Sequence, residues 1–498
     1  MDINIVHSLN LIKPELAISL VIVWLVVSDL ILSKDKTLLP YIGIIGLIAV
    51  GFYIIQQWGI SSFASANSSS GMIAIDNFGS FFKLIIIAAT IFVILFSISS
   101  SEIKSVFERH GEYYSLIFGM VLGMFFMVSA VDLILVYLSI ELVSLSSYVL
   151  AGFTKNSLRN SEASLKYIIY GGAASGIMLF GISIIYGITG STNLYTINTV
   201  LQTAQIPVST LVLSGILIFT GIGFKISAVP FHFWTPDIYE GAPITITAYL
   251  SVASKAAGFA LLIRFVKITF IQSVNADGYW QMLHLIDWKS FFILISILTM
   301  TLGNFAALWQ DNMKRLLAYS SIAHAGYILL GLAVLSNQGM MAVLIYFAVY
   351  AIMNLGAFFV VMLIANKIGS ENIDDYKGLG YSTPLLGISL AIFLVSLTGI
   401  PPTAGFIAKL YLFIALVDAK MIVVAIIALL NTVVSLYYYI RVLKNMYLVK
   451  AETPIPTFSA SIGNKIIVVA LLIPVLVLGI YFTPLVQWAQ SSVSLLGF

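Results

Sequence analysis

Four ionisable side chains stand deep inside apolar runs, and their types suit the movement of protons. Glu141 lies in LILVYLSIELVSLSSYVLAGF, Lys225 in LIFTGIGFKISAVPF, Lys255 in TITAYLSVASKAAGFALLIRF and Lys409 in GIPPTAGFIAKLYLFIAL. Glu141 is nine residues beyond Asp132, roughly 13 Å of helix at 1.5 Å per residue, which is near a bilayer midplane. Charge at that depth costs about 2.5–3.5 kcal/mol even on lenient scales, so each such residue needs a reason. Burial disfavours a charged lysine and a nearby carboxylate favours it. A Glu/Lys pair of adjustable separation is therefore a proton switch, and further lysines or histidines pass the proton along. Arginine would not serve, because it keeps its proton.

His232, seven residues beyond Lys225, and His324, in KRLLAYSSIAHAGYILLG, fit the same scheme. Each also reads as a hydrogen-bonding core residue, and any single buried lysine as a packing feature. Lys166 is shallower; four residues after Glu162, it also reads as an ordinary i,i+4 surface pair. Asp29, Lys83, Asp132, Arg264, Lys267, Asp287 and Asp418 lie near the ends of apolar runs, where snorkelling to the interface is the expectation.

The elements that hold these residues follow from composition. Of 498 residues 60% are hydrophobic and only 9% charged, against about 25% charged in soluble domains. The apolar residues run unbroken rather than alternating, a poor fit to a β-barrel. The chain is expected to be an all-α polytopic membrane protein. It has no cysteine, so disulfides, cysteine-ligated clusters, c-type haem and thiol nucleophiles are excluded, and redox chemistry must sit on a partner. Five histidines make a bis-histidine haem a poor fit. The net charge of +3 says little. The first apolar stretch lacks a basic flank and a small-residue cleavage site, so it is expected to remain as a membrane helix.

Apolar runs between polar breaks give about fourteen spans: 14–33, 40–57, 81–99, 112–129, 131–152, 162–189, 209–229, 244–265, 289–308, 315–334, 340–365, 384–418, 421–444 and 464–488. Alternate loops carry Lys34 and Lys36, Lys104 and Arg109, Lys155 and Arg159, Lys314 and Arg315, Lys367 and Lys377, then Arg441, Lys444, Lys450 and Lys465. The opposite loops hold chiefly Lys13 and Lys420. Positive charge stays inside, so both termini are expected on the outer side, as an even helix count requires. Pro230 stops span 7 and Pro401–Pro402 interrupt span 12. Such breaks survive in lipid only where they line a polar cavity. Five spans separate them, so the two units run in opposite directions, the mark of an inverted repeat. Ser61–Gly71 reads as an outer loop and Thr453–Asn464 as a polar connector, and neither divides the chain into domains.

FKISAVPFHFWTPDIYEGAPITITAYLSVASKAAGFALL, QDNMKRLLAYSSIAHAGYILLG, DDYKGL and LTGIPPTAGFIAKLYLF resemble the antiporter-like membrane subunits of respiratory complex I over roughly 110–450. HFWTPDIYEGAP and the late lysine are most similar to the subunit N family. That resemblance implies fourteen helices with helices 4–8 and 9–13 as inverted five-helix repeats and helices 7 and 12 interrupted. One membrane domain, 1–498, would then hold three N-terminal helices (1–105), a first repeat (110–270), a second (288–448) and a last helix (460–490). It implies a carboxylate–lysine switch at Glu141 and Lys225, a central relay lysine at Lys255 and a terminal one at Lys409. His232 and His324 become bridging histidines, and Lys166 the lysine near the cytoplasmic entrance. The implied function is proton translocation across a bacterial inner membrane, driven by electron transfer from NADH or another donor to quinone. No cofactor is expected in this chain; flavin, iron–sulfur clusters and quinone would belong to partner subunits. The expected partners are M-like and K-like membrane subunits, the peripheral arm through the complex, and lipid, with no nucleic acid.

Two other readings compete. One is a subunit of a Mrp-type cation/proton antiporter or membrane-bound hydrogenase, which share the helical unit. The other is a non-pumping membrane scaffold, against which the cost of four deep titratable groups argues. A sodium site would want several oxygen ligands, and Glu141 is the one clear midplane carboxylate.

Overall fold

The computed structural model describes residues 8–32, 35–63, 71–154, 158–203, 206–283, 286–450 and 459–497. Lys34 and Lys155, most of the Ser61–Gly71 loop and much of the 453–464 connector lie outside them. Thirteen helices among the described residues are long and apolar enough to cross a membrane. They are spans 1 to 11, 13 and 14 of the sequence reading, found within a few residues of their expected limits except that span 14 ends at Ile480 rather than 488, a separate short helix, Thr483–Ser491, following it. Span 12 is the fourteenth, built from two shorter helices, Pro384–Thr398 and Ala404–Asp418. The architecture is the all-helical, polytopic one expected.

Helix ends are set by local chemistry. Asp76 accepts from the Gly79 amide at the start of span 3 (Asn77–Ser99), and Asp132 from Ile134 at the start of span 5 (Leu133–Ala151). Ser336 and Asn312 cap spans 11 (Asn337–Ile368) and 10 (Met313–Ala333) in the same way, satisfying amides that have no partner inside the helix. Small antiparallel ribbons, Ser62–Phe63 with Ala74–Ile75 and Ile271–Val274 with Trp280–Met282, tie loops together.

Burial sorts the spans. Span 8 (Ile244–Phe270) is wholly enclosed and spans 10 and 11 nearly so, whereas spans 13 (Ile422–Leu448) and 14 (Ile462–Ile480) leave most of their surface to the surroundings. Their outward side chains are large and apolar, among them Leu429, Leu430, Val433, Ile466 and Ile473, as a lipid-facing surface requires. Spans 9 (Trp288–Ala307) and 10 meet through small residues. A Cβ on Gly303 would lie 2.6 Å from the Ala323 nitrogen, and one on Gly326 would lie 2.4 Å from that of Met300.

Spans 7 and 12 are the interrupted ones, as expected. Span 7 runs Val208–Ile226 and ends on Ser227 in the left-handed conformation, earlier than the expected limit of 229, and a half-helix Trp234–Gly241 follows. The freed backbone is paid for locally. The Trp234 indole donates to the Phe224 carbonyl at 2.9 Å and Thr299 accepts from the Val229 amide at 3.0 Å. Span 12 stops at Gly399, whose φ of +89° only glycine adopts freely. A Cβ there would also sit 2.8 Å from Lys409 Cδ. Gly399→Ala is expected to cost about 1–2 kcal/mol from the backbone alone, read as a lower melting temperature of the assembled protein; an unchanged melt would mean that this turn is not strained.

Candidate functional site

The breaks put helix C-terminal carbonyls inside the membrane, where a cation is the natural complement. Lys225 occupies the last turn of the first half of span 7. Lys409 reaches back from the second half of span 12 to donate to the Thr398 carbonyl at 2.8 Å, at the end of the first half. Both lysines are almost completely buried.

Glu141 and Lys225 meet through span 5 rather than directly. The half-buried Glu141 carboxylate accepts from Ser175 of span 6 (Leu158–Thr189). Lys225 Nζ donates to Ser144 Oγ at 3.2 Å, one turn beyond Glu141. No ion pair joins the two among the described residues. The Lys225 stem packs on Gly258 of span 8, where a Cβ would lie 3.5 Å from Lys225 Cγ and 2.8 Å from Ile226 Cγ2. Gly258 is one turn past Lys255.

Lys255 begins a second line of polar side chains along span 10. Its Nζ donates to the Ser321 carbonyl at 3.0 Å and hydroxyl at 2.9 Å. His324 follows Ser321 by one turn of span 10, and Tyr327 follows His324 by another, so all three share one face. The His324 Nδ1 is 2.8 Å from the Tyr346 hydroxyl, and its ring lies 5.1 Å from that of Tyr350. Lys409 Nζ sits 4.5 Å from the centre of the Tyr327 ring and shares Thr432 with the Tyr327 hydroxyl, at 3.3 and 3.1 Å. His324 therefore lies on span 10 between Ser321, which Lys255 contacts, and Tyr327, which Lys409 faces. Every member of this line carries an amine, imidazole or hydroxyl group, and none is an arginine.

The other two candidates stand apart. His232 is buried against Phe233 beside the break, its Nδ1 without a hydrogen-bond partner, and no hydrogen bond links it to either lysine. Lys166 is more than a surface pair: it bridges Glu162 and Asp237, each at 2.8 Å. Arg315 of span 10 holds the same Asp237 and also Glu240, both at 2.9 Å. These residues, with Arg159, line an open cleft of about 220 Å³.

Four charges depart from the interfacial placement expected of them; Asp132 is buried at the start of span 5, where it accepts from the Thr192 hydroxyl at 2.7 Å. Lys83 is buried on Glu15 at 2.6 Å, and Arg264 is fully buried on Asp76, with two bonds of 2.8 Å. Lys267 is buried 5.0 Å from the Trp280 ring centre. Each turns inward to a partner instead of outward to water. Asp287 and Asp418 are exposed, as expected. Ser144, Ser175, Ser321 and Tyr327 were not singled out by sequence; their signal is position, one helical turn from a titratable residue or facing one across a span boundary. Among the described residues no cluster of three histidines or acids suits a metal.

The sequence pattern of the family described as NADH:quinone oxidoreductase/Mrp antiporter, transmembrane region, matches residues 130–435, which hold all seven relay candidates. The chain belongs to that family. Within the NADH:quinone oxidoreductase/Mrp antiporter family it is 48% identical to NADH-quinone oxidoreductase subunit N 2 of Chloroherpeton thalassium, over 97% of this chain and 94% of that one. A chain of respiratory complex I from Thermus thermophilus superposes with a TM-score of 0.77 at 28% identity, covering 95% of this chain and 98% of its own. A chain of the Mrp complex from Dietzia sp. DQ12-45-1b gives 0.81 at 20% identity, covering 99% and 97%, a likeness of fold alone. The resemblance read from the motifs is therefore the family found.

Proposed function

We propose that this chain is the proton-translocating subunit N of a complex that couples electron transfer, from NADH or another donor, to quinone with proton movement. The observation that carries this reading is the line Lys255–Ser321–His324–Tyr327–Lys409, which joins span 8 to the break of span 12 with groups that exchange protons. Lys166 and its cleft form the entrance from the cytoplasm. Lys225 loads under control of the Glu141 carboxylate, and Lys255 hands the proton through His324 to Lys409. His232 borders the span 7 break as an accessory site. Residues 110–270 and 288–448 act as the two units, with 1–105 and 460–490 around them. Flavin, clusters and quinone lie on partners, with M-like and K-like subunits as membrane neighbours. Basic loops favour a bacterial inner membrane with both termini outside.

A mild-detergent pull-down with mass spectrometry tests this. Recovery of flavin and iron–sulfur subunits is expected; recovery with small antiporter partners alone overturns it in favour of an ion-gradient-driven antiporter. The exposed Lys166 pairs are weak contacts, each worth under about 1 kcal/mol. Lys166→Gln is accordingly expected to leave the melting temperature unchanged while slowing proton uptake, measured by calorimetry and by dye quenching in proteoliposomes. Complete loss of pumping would make Lys166 an obligatory carrier instead.

A further inference from the structure

Span 8 is not a uniform helix. Its first segment, Ile244–Tyr249, passes through a π turn at Leu250–Ser254 before the α-helix resumes at Lys255. A π turn inserts one extra residue, so everything beyond it is rotated by roughly 100° relative to a continuous α-helix. Lys255 is the first residue beyond it. The turn therefore decides the direction of the Lys255 side chain, which as built reaches both Ser321 oxygens.

Something must hold the wider turn against relaxing. Span 11 supplies it: Asn354 Nδ2 donates to Ser251 Oγ at 2.7 Å, and Ser251 in turn donates to the Ala248 carbonyl at 2.8 Å, one turn back. Asn354 is fully buried, and its Oδ1 has no hydrogen-bond partner. A buried amide left half-satisfied is a poor way to fill an apolar interface, which asks for a leucine or methionine. Its one side-chain bond goes to the turn that aims the lysine.

We propose that Asn354 is a positioning residue for the proton relay: by holding Ser251 it keeps the π turn of span 8, and through it the direction in which Lys255 faces Ser321. This rests on the reading of Lys255 as a relay group. Asn354 itself does not carry the proton.

The test uses the intact complex in proteoliposomes, with protons moved per electron as the readout and native-gel recovery as the check on assembly. Asn354→Leu keeps the γ-branched outline, though it is bulkier, and removes the donor; Ser251→Ala removes the acceptor from the other side without adding bulk. Each is expected to lower the proton/electron ratio about fivefold while assembly persists, and the double variant should be no worse than either alone. Asn354→Asp, which has the same outline and donates when its carboxyl is protonated, should restore part of the ratio. Parent-like pumping by assembled Asn354→Leu overturns the proposal, and so does independent, multiplying loss in the double variant. Should Asn354→Leu fail to assemble, Ser251→Ala decides alone by the same criterion. Lys255→Met is run in parallel. If it pumps normally the relay reading itself fails, whereas loss in Lys255→Met with parent-like Asn354→Leu sinks only the positioning role.

Discussion

Lys225→Met is expected to abolish proton translocation while leaving the complex assembled and no less stable. The stem of Lys225 packs on Gly258 and next to Ile226, and methionine, unbranched and of similar length, fills that space. The ammonium has no ion pair among the described residues, only the Ser144 hydroxyl at 3.2 Å. Deleting it removes a buried cation rather than orphaning a carboxylate, since Glu141 keeps its bond to Ser175. Stability should hold or rise. Transport should not: proton transfer through a positioned side chain is typically worth about 10²–10⁴-fold, so protons per electron should fall at least about 100-fold. Lys225→Arg sharpens the test, because it keeps the charge but cannot release the proton. If protonation is the function, arginine fails as badly as methionine. If charge alone mattered, arginine would pump, and if the chain were a scaffold both variants would.

The difference between what the sequence disclosed and what it hid has a physical cause. Span number and the two breaks were legible because each is local: hydropathy over about 20 residues, and proline, which cannot continue a helix. The deep lysines were legible because charge inside an apolar run is anomalous on its face. Direction was not. Lys83 and Arg264 lie about as far from their span ends as residues that do face outward, and what turns them inward is a partner distant in sequence, Glu15 or Asp76. Ser321, the acceptor for Lys255, is 66 residues away and looks like any small polar residue in a membrane helix. The π turn was hidden for a different reason. Span 8 is buried on every side, so it has no polar face whose drift would betray an inserted residue. Asp237 stood in the motif that carried the family resemblance, yet its bridging of Lys166 and Arg315 depends on how the half-helix 234–241 docks between spans 6 and 10.

Asp76→Ala is expected to be the most destabilising single change outside the relay. Asp76 meets Arg264 through both oxygens at 2.8 Å, caps span 3 through the Gly79 amide at 2.8 Å, and accepts from the Leu496 amide at 3.2 Å. Arg264 also donates to the Val128 carbonyl at 2.8 Å and lies 5.5 Å from the Phe78 ring centre. One ion pair thus pins spans 3, 4 and 8 and the C-terminal segment. Breaking a buried pair by removing one partner costs about 3–5 kcal/mol, because the other charge is left uncompensated, and the lost cap adds about 1 kcal/mol. Asp76→Asn retains one acceptor oxygen for the cap but turns an NH2 toward groups that themselves donate, so it should lose the charge and part of the hydrogen bonding, yet less than Asp76→Ala. Pairing it with Arg264→Met removes the orphaned cation and should recover much of the loss, as replacement of a whole buried pair by apolar groups often does. The expected order of melting temperature is parent, double variant, Asp76→Asn, then Asp76→Ala. A double variant less stable than Asp76→Asn would mean that Arg264 contributes chiefly through Val128 and Phe78, and that the carboxylate is the lesser half of the pair.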